Sequence, residues 1–299
     1  MPVPHPIPYQ GSKRNIAKHI LNFFPQGTNA LIEPFAGSGA LSIAAAYHQK
    51  SKRFLLNDIN KPLMDLLDLI INNPEWISNE YRRLWNGQLG NEKLYYNEIR
   101  EEFNKSKRPE LFLFLLARGV KASIRYNSNG FFNQSPDNRR LGRQPSSMTS
   151  EIFSVSKLLR GRTNIKSVDY REILHSATDD SLIYMDPPYQ GVCLPRDPRY
   201  INGVEHKEFF KEIKFLVDNN YQFIISYDGK KGTKTYGEGL PKELGLLHIE
   251  INAGRSSQST LLGDSDITYE SIYLSPRLIS DIKTPINKLL GETMRIQET

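Results

Sequence analysis

Ala30-Leu31-Ile32-Glu33-Pro34-Phe35-Ala36-Gly37-Ser38-Gly39-Ala40 decides the fold. Ala30 to Ile32 is a short apolar strand. It runs into a proline- and glycine-bearing turn, and the turn runs into Ala40 to Tyr47, which reads as a helix. Arg53-Phe54-Leu55-Leu56 is the next strand and ends at Asn57-Asp58. Leu63, Leu66, Leu67, Ile70 and Ile71 then recur at helical spacing. Strand, helix, strand, helix is how a parallel α/β sheet opens.

Working outward, the pattern changes. From Pro74 to Gly119 the chain reads as helices without strands, Glu92 to Phe103 and Glu110 to Leu116 among them. Lys121 to Pro145 is polar and basic, rich in Asn, Ser, Gly and Pro. A loop of that length in a compact domain is functional or disordered, and its interleaved Tyr126, Phe131 and Phe132 argue against disorder. Strand signals return at Ile165 to Val168, Leu182 to Met185, Gln222 to Ser226, Leu246 to Ile251 and Tyr269 to Leu274. Phe209, Phe210, Ile213, Leu216 and Val217 form a helical stripe among them. The expected organisation is one α/β domain made of residues 1–73 and 161–299, with residues 74–160 inserted.

The 299 residues carry a formal charge of +6. That favours an anionic partner, nucleic acid before a membrane surface. The excess is local: between Lys121 and Lys166, Lys121, Arg125, Arg139, Arg140, Arg143, Lys157, Arg160, Arg162 and Lys166 face only Asp137 and Glu151, nine against two, or +7. Cations interleaved with aromatic rings suit phosphate contacts with base stacking or wedging. The single cysteine, Cys193, excludes an intrachain disulfide, and the six histidines lack metal-like spacing. No apolar run reaches membrane-spanning length, and Met1 to Gln10 lacks a signal pattern. The expectation is a cytoplasmic protein with no membrane and no metal.

Two turns carry chemistry. In the first, Gly37 and Gly39 let a ligand approach the backbone at a helix N-terminus. Asp58, 19 residues after Gly39, stands where an acid accepts hydrogen bonds from ribose hydroxyls. Ser42 replaces the third glycine of a dinucleotide fingerprint, which weakens an NAD or FAD reading and leaves a nucleoside without pyrophosphate. In the second, Asp186-Pro187-Pro188-Tyr189 follows the strand Leu182 to Met185. Proline ends the strand, so a carboxylate, a stiff turn with carbonyls and an aromatic ring emerge together at the edge where α/β sheets bind ligands. This suits a planar amino-heterocycle. Pro8-Tyr9-Gln10-Gly11-Ser12-Lys13 could sit over a nucleoside ring, or simply be an arm docked on the core.

Together these pieces resemble the Dam-type, D12-class adenine-N6 DNA methyltransferases, in the motif order called alpha. The resemblance runs over about residues 7–276, through Pro8 to Lys13, Glu33 to Gly39, Asp58 in Asn57-Asp58-Ile59-Asn60, Arg125-Tyr126-Asn127 with Gly130 to Asn133, and Asp186 to Tyr189. It implies a Rossmann-like S-adenosylmethionine-dependent methyltransferase sheet with an inserted, mostly helical target-recognition domain. It implies that Tyr9, Lys13, Glu33, Pro34, Phe35, Ala36, Gly37, Ser38, Gly39, Asp58, Ile59, Asp169, Tyr170 and Asp186 surround S-adenosyl-L-methionine. Tyr9 stands where the family more often has Trp. Asp186, Pro187, Pro188 and Tyr189 would act on a flipped adenine of double-stranded DNA. Lys121, Arg125, Tyr126, Asn127, Asn129, Phe132, Arg139, Arg140, Arg143 and the late Arg255-Ser256-Ser257 would contact that DNA. A cognate restriction endonuclease acting separately on the same site would be a partner.

Alternatives stay open on the residues alone. N4-cytosine offers the same amine geometry, and RNA the same charge. A non-catalytic nucleic-acid-binding protein on this fold is a different class, disfavoured by the intact turns. A dinucleotide-dependent oxidoreductase is disfavoured by Ser42 and by the lack of a proton-handling histidine.

Overall fold

The computed structural model describes residues 2–188, 206–231, 234–236, 239–255, 267–291 and 293–297. Its strands are β1 (Ala30–Glu33), β2 (Arg53–Asn57), β3 (Thr163–Lys166), β4 (Ser181–Met185), β5 (Gln222–Lys231), β6 (Lys234–Tyr236), β7 (Leu247–Arg255), β8 (Ile267–Leu274) and β9 (Met294–Ile296). They form one sheet in the order β3-β2-β1-β4-β5-β8-β7-β9, with β6 paired to β5. The first five are parallel; β8 runs antiparallel between β5 and β7. The chain winds outward from β1 in both directions, through β2 and β3 on one side and β4 and β5 on the other. The carboxyl ends of β1 and β4 therefore flank the switch point, where such sheets open a crevice.

The central strands are apolar throughout because both sheet faces are covered. Alternation divides them: Leu182, Tyr184 and Ile224 enter one apolar cluster, and Ile183, Met185, Phe223 and Ile225 enter the other. The first cluster lies under α1 (Ala17–Ile20), α2 (Ala40–Tyr47) and α3 (Lys61–Asn72). Small residues let α2 lie close on the sheet, with Ala40 to Ala46 all buried.

The stretch from 74 to 160 holds α4 (Pro74–Gly87), α5 (Glu92–Ser106), α6 (Pro109–Arg118) and α7 (Pro145–Leu159). Its apolar residues, including Ile77, Phe112, Ile152 and Val155, belong to the same cluster as α2 and α3. The Ser156 hydroxyl donates to the Ile71 carbonyl at 2.6 Å, pinning α7 to α3. The opposite sheet face is covered by α8 (Tyr170–Leu174) and α9 (His206–Asp218). No helix of the described residues is long and apolar enough to cross a membrane.

One strand is shifted from the sequence expectation. β3 spans Thr163–Lys166 rather than Ile165 to Val168. The Asn57 side chain explains the end: its Oδ1 accepts from the Val168 N–H at 2.9 Å and its Nδ2 donates to the Val168 carbonyl at 3.1 Å, which takes Val168 out of the ladder.

Candidate active site

At the switch point is a cavity of about 340 Å³, lined from four strand ends and the N-terminal arm. β1 delivers Glu33 and the turn Pro34 to Ser38. β2 delivers Asn57, Asp58, Ile59 and Asn60. Val168, Asp169 and Tyr170 follow β3, and Asp186, Pro187 and Pro188 follow β4. Tyr9 and Lys13 complete the wall. Every residue that the resemblance assigns to a cofactor lines this cavity except Gly39. Gly39 has φ +67° at the head of α2, and a Cβ there would sit 3.3 Å from Leu67 Cδ2, so this glycine serves the turn and the core.

Gly37 faces the other way. It has φ +52°, and a Cβ would lie 3.3 Å from Tyr9 Cε1. The bare backbone is what lets the Tyr9 ring close over the turn. Asp58 fixes that turn from below: Oδ2 accepts from the Gly37 N–H at 3.0 Å and Oδ1 from the Asn60 N–H at 2.9 Å. Burial raises its carboxyl above the usual range in spite of these bonds. Asn57 ties the same corner to β1, donating to the Pro34 carbonyl at 3.0 Å.

Glu33 is buried and accepts from the Ser42 N–H at 2.9 Å. Burial raises its pKa to about 7, with the charge of Asp186 acting in the same direction. Lys13, also buried, places its ammonium 2.9 Å from Asp186 Oδ1. Asp169 caps α8, accepting from the Arg171 N–H at 2.9 Å, and pairs with the Arg171 guanidinium, which holds its carboxyl below the usual range. Tyr170 packs on Phe35 with ring centroids 5.0 Å apart, and burial pushes its phenol up to about 12.

The lining suits one kind of ligand. Its acids are Glu33, Asp58, Asp169, Asp186 and Glu208, and its cations are Lys13 and Arg171. Apolar contacts come from Phe35, Ile124 and Ile59, which is 47% exposed at the rim. An acidic cavity with a glycine turn accommodates a nucleoside bearing a cationic group and rejects a pyrophosphate. S-adenosylmethionine fits that description. No local motif in the sequence marks Ile124 or Glu208: each reaches the cavity from a distant segment.

In the loop at 119–143, the residues expected to contact DNA are not all displayed. Phe132 is 1% exposed, edge-on to Phe103 and Phe112 at 5.8 and 5.7 Å. Tyr126 is 6% exposed and donates to Asn60 Oδ1 at 3.3 Å. Both rings are packed into the base of the loop, so neither face is presented at the surface for stacking. Asn127 folds the tip, its Oδ1 accepting from the N–H groups of Asn129 and Phe131. Exposed around that tip are Asn129, Phe131, Arg125 and Lys121. Arg139 and Arg140 both pair with the buried Asp137, which leaves their exposed guanidinium groups held outward. Arg143 is half-buried and donates to the His5 carbonyl at 2.9 Å, a tie to the N-terminal arm rather than a displayed cation. Tyr189, Ser256 and Ser257 lie outside the described residues, as does the side chain of Arg255.

Sheet order and cavity define a Rossmann-like fold of the kind that S-adenosylmethionine-dependent methyltransferases use. The chain belongs to the family described as D12 class N6 adenine-specific DNA methyltransferase, whose sequence model matches residues 9–246. It is similar to the DNA adenine methylases of Vibrio cholerae and Escherichia coli K12, each 29% identical over 187 residues, covering 61% of this chain and 64% of theirs. It is also similar to the type II methyltransferase M1.LlaDCHI of Lactococcus lactis, 28% identical over 191 residues, covering 60% of this chain and 64% of that one. The matched region thus spans a little under two thirds of these relatives. A solved rRNA methyltransferase, aviRa from Streptomyces viridochromogenes, aligns over 90% of this chain and 85% of its own at 12% identity and a TM-score of 0.37, too loose a likeness to argue from.

Proposed function

We propose that this protein is a site-specific DNA methyltransferase that moves a methyl group from S-adenosylmethionine to the N6 amine of an adenine flipped out of duplex DNA. One observation carries the reading: Asp186-Pro187-Pro188 leaves β4 into the same cavity as the Gly37 turn and Asp58. On this reading, an amine acceptor and a nucleoside cradle stand side by side.

S-adenosylmethionine, when bound, supplies an electrophilic methyl on a sulfonium. Tyr9 and Ile59 would cover the nucleoside, Asp58 would receive its ribose hydroxyls, and the acids would favour its positive charge. An adenine amine is a weak nucleophile because its lone pair is delocalised into the ring. Hydrogen bonds from its NH2 to the Asp186 carboxylate and the Pro187 carbonyl draw it toward tetrahedral geometry and turn the lone pair toward the methyl. Positive charge developing on that nitrogen would be stabilised by the Asp186 carboxylate and the Pro187 carbonyl until an amine proton passes to solvent water. Rigid acceptors already in place stabilise that charge without reorganisation, and alignment supplies much of the remaining rate. A base within a duplex is out of reach, so it must be flipped. Arg139, Arg140, Arg125 and Lys121 suit phosphate contacts, and Phe131 and Asn129 suit the bases. A restriction endonuclease acting on the same site fits this role, and one relative is named a type II methyltransferase.

Asp186→Ala tests the reading. With labelled cofactor and mixed-sequence duplex, the variant should transfer methyl at least about a thousandfold more slowly while binding duplex within about twofold, since its side chain lies in the cavity and not on the basic surface. Transfer at the wild-type rate would refute the role.

A further inference from the structure

The Lys13 ammonium is shared between two carboxylates. It lies 2.9 Å from Asp186 Oδ1 and 3.8 Å from Glu270 Oε2, with the Lys13 side chain only 9% exposed. Glu270 sits on β8, beyond residue 246, where the family match ends. The sheet gives a reason for its direction. Ser226 pairs with Ile272 and Gly229 with Glu270, so β5 holds one more residue than β8 at this point. Such a bulge re-aims side chains and is found beside active sites. Glu270 follows the slip directly and is paired on its other side with the fully buried Ile251. A carboxylate so placed, next to apolar core, is stabilised by a nearby cation.

We propose that Glu270 is a positioning residue that acts through Lys13, holding the ammonium between two carboxylates so that Asp186 keeps the orientation in which it receives the target amine. This rests on the reading of Asp186 given above. An ammonium paired with Asp186 alone could follow that carboxylate as it rotated. Tethered to β8, it restrains the rotation. Two carboxylates and one ammonium also leave the local charge at −1, which favours the positive charge that develops on the amine.

Glu270→Gln keeps the size of the side chain and removes the charge. Its kcat should fall about ten- to a hundredfold, with KM for cofactor and DNA within about threefold and an unchanged melting temperature. Glu270→Asp should recover part of the rate. The double variant Lys13→Met/Glu270→Gln should be no slower than Lys13→Met, because the two residues act as one unit. A second readout needs no activity. In the ligand-free protein, competitive acylation at fixed pH should label Lys13 about three- to fivefold faster in Glu270→Gln than in the wild type, as expected when a modest ion pair is lost. Wild-type kcat in Glu270→Gln, multiplying losses in the double variant, or unchanged Lys13 labelling would each overturn the proposal. A wild-type protein that transfers no methyl would instead overturn the functional reading, and the labelling would still decide the tether.

Discussion

The cavity and the loop at 119–143 use similar residues to opposite ends. In the cavity, polar side chains sit at strand ends and are held by backbone groups: Asp58 by two N–H groups, Glu33 by one. They are fixed before any ligand arrives. In the loop, two of the three aromatic residues look inward. Phe132 and Tyr126 build the platform, and only the tip and its flanking cations are displayed. On the proposed reading, the chemistry falls to buried, restrained groups, and contact with DNA to exposed groups on a packed base.

Substituting the neighbours Phe131 and Phe132 breaks the comparison if it is wrong. Phe132→Ala removes a ring packed on Phe103 and Phe112 and should cost about 3–5 kcal/mol of stability. Phe131→Ala, 47% exposed, should change stability by no more than about 0.5 kcal/mol but weaken duplex binding by about 1 kcal/mol or more. Denaturant titration and duplex binding read both; reversed effects would put Phe132 on the DNA and Phe131 in the core.

The cavity half can be sharpened by pH. Glu33 ionises near pH 7 in the fold and near its ordinary value of 4.5 when unfolded. Between these values the folded state holds a proton that the unfolded chain has lost, so stability falls as pH rises from about 4.5 to 7 and levels off above. The loss through this group is roughly 3 kcal/mol. Glu33→Gln should flatten that part of the stability profile. An unchanged slope would mean that Glu33 is not the group that burial holds protonated.

These two halves were unequally legible in the sequence. Strand, turn and helix around Gly37 are local signals, and so is the proline stop after Asp186; each could be placed from its own neighbours. The burial of Phe132 depends on rings from α5 and α6, and its exposed neighbour Phe131 has the same side chain, so sequence alone could not sort them. Arg143 reads as one cation among nine until the His5 carbonyl is seen beside it. Glu270 carries no motif at all: the sheet order brings it from the far end of the chain to Lys13.

The central claim is tested most directly by locating the transferred methyl. Duplex DNA incubated with the protein and methyl-labelled S-adenosylmethionine should be digested to nucleosides and separated. The account predicts the label on N6 of adenine, confined to a defined sequence. Label on N4 of cytosine, or no labelled base while cofactor and duplex both bind, would contradict it.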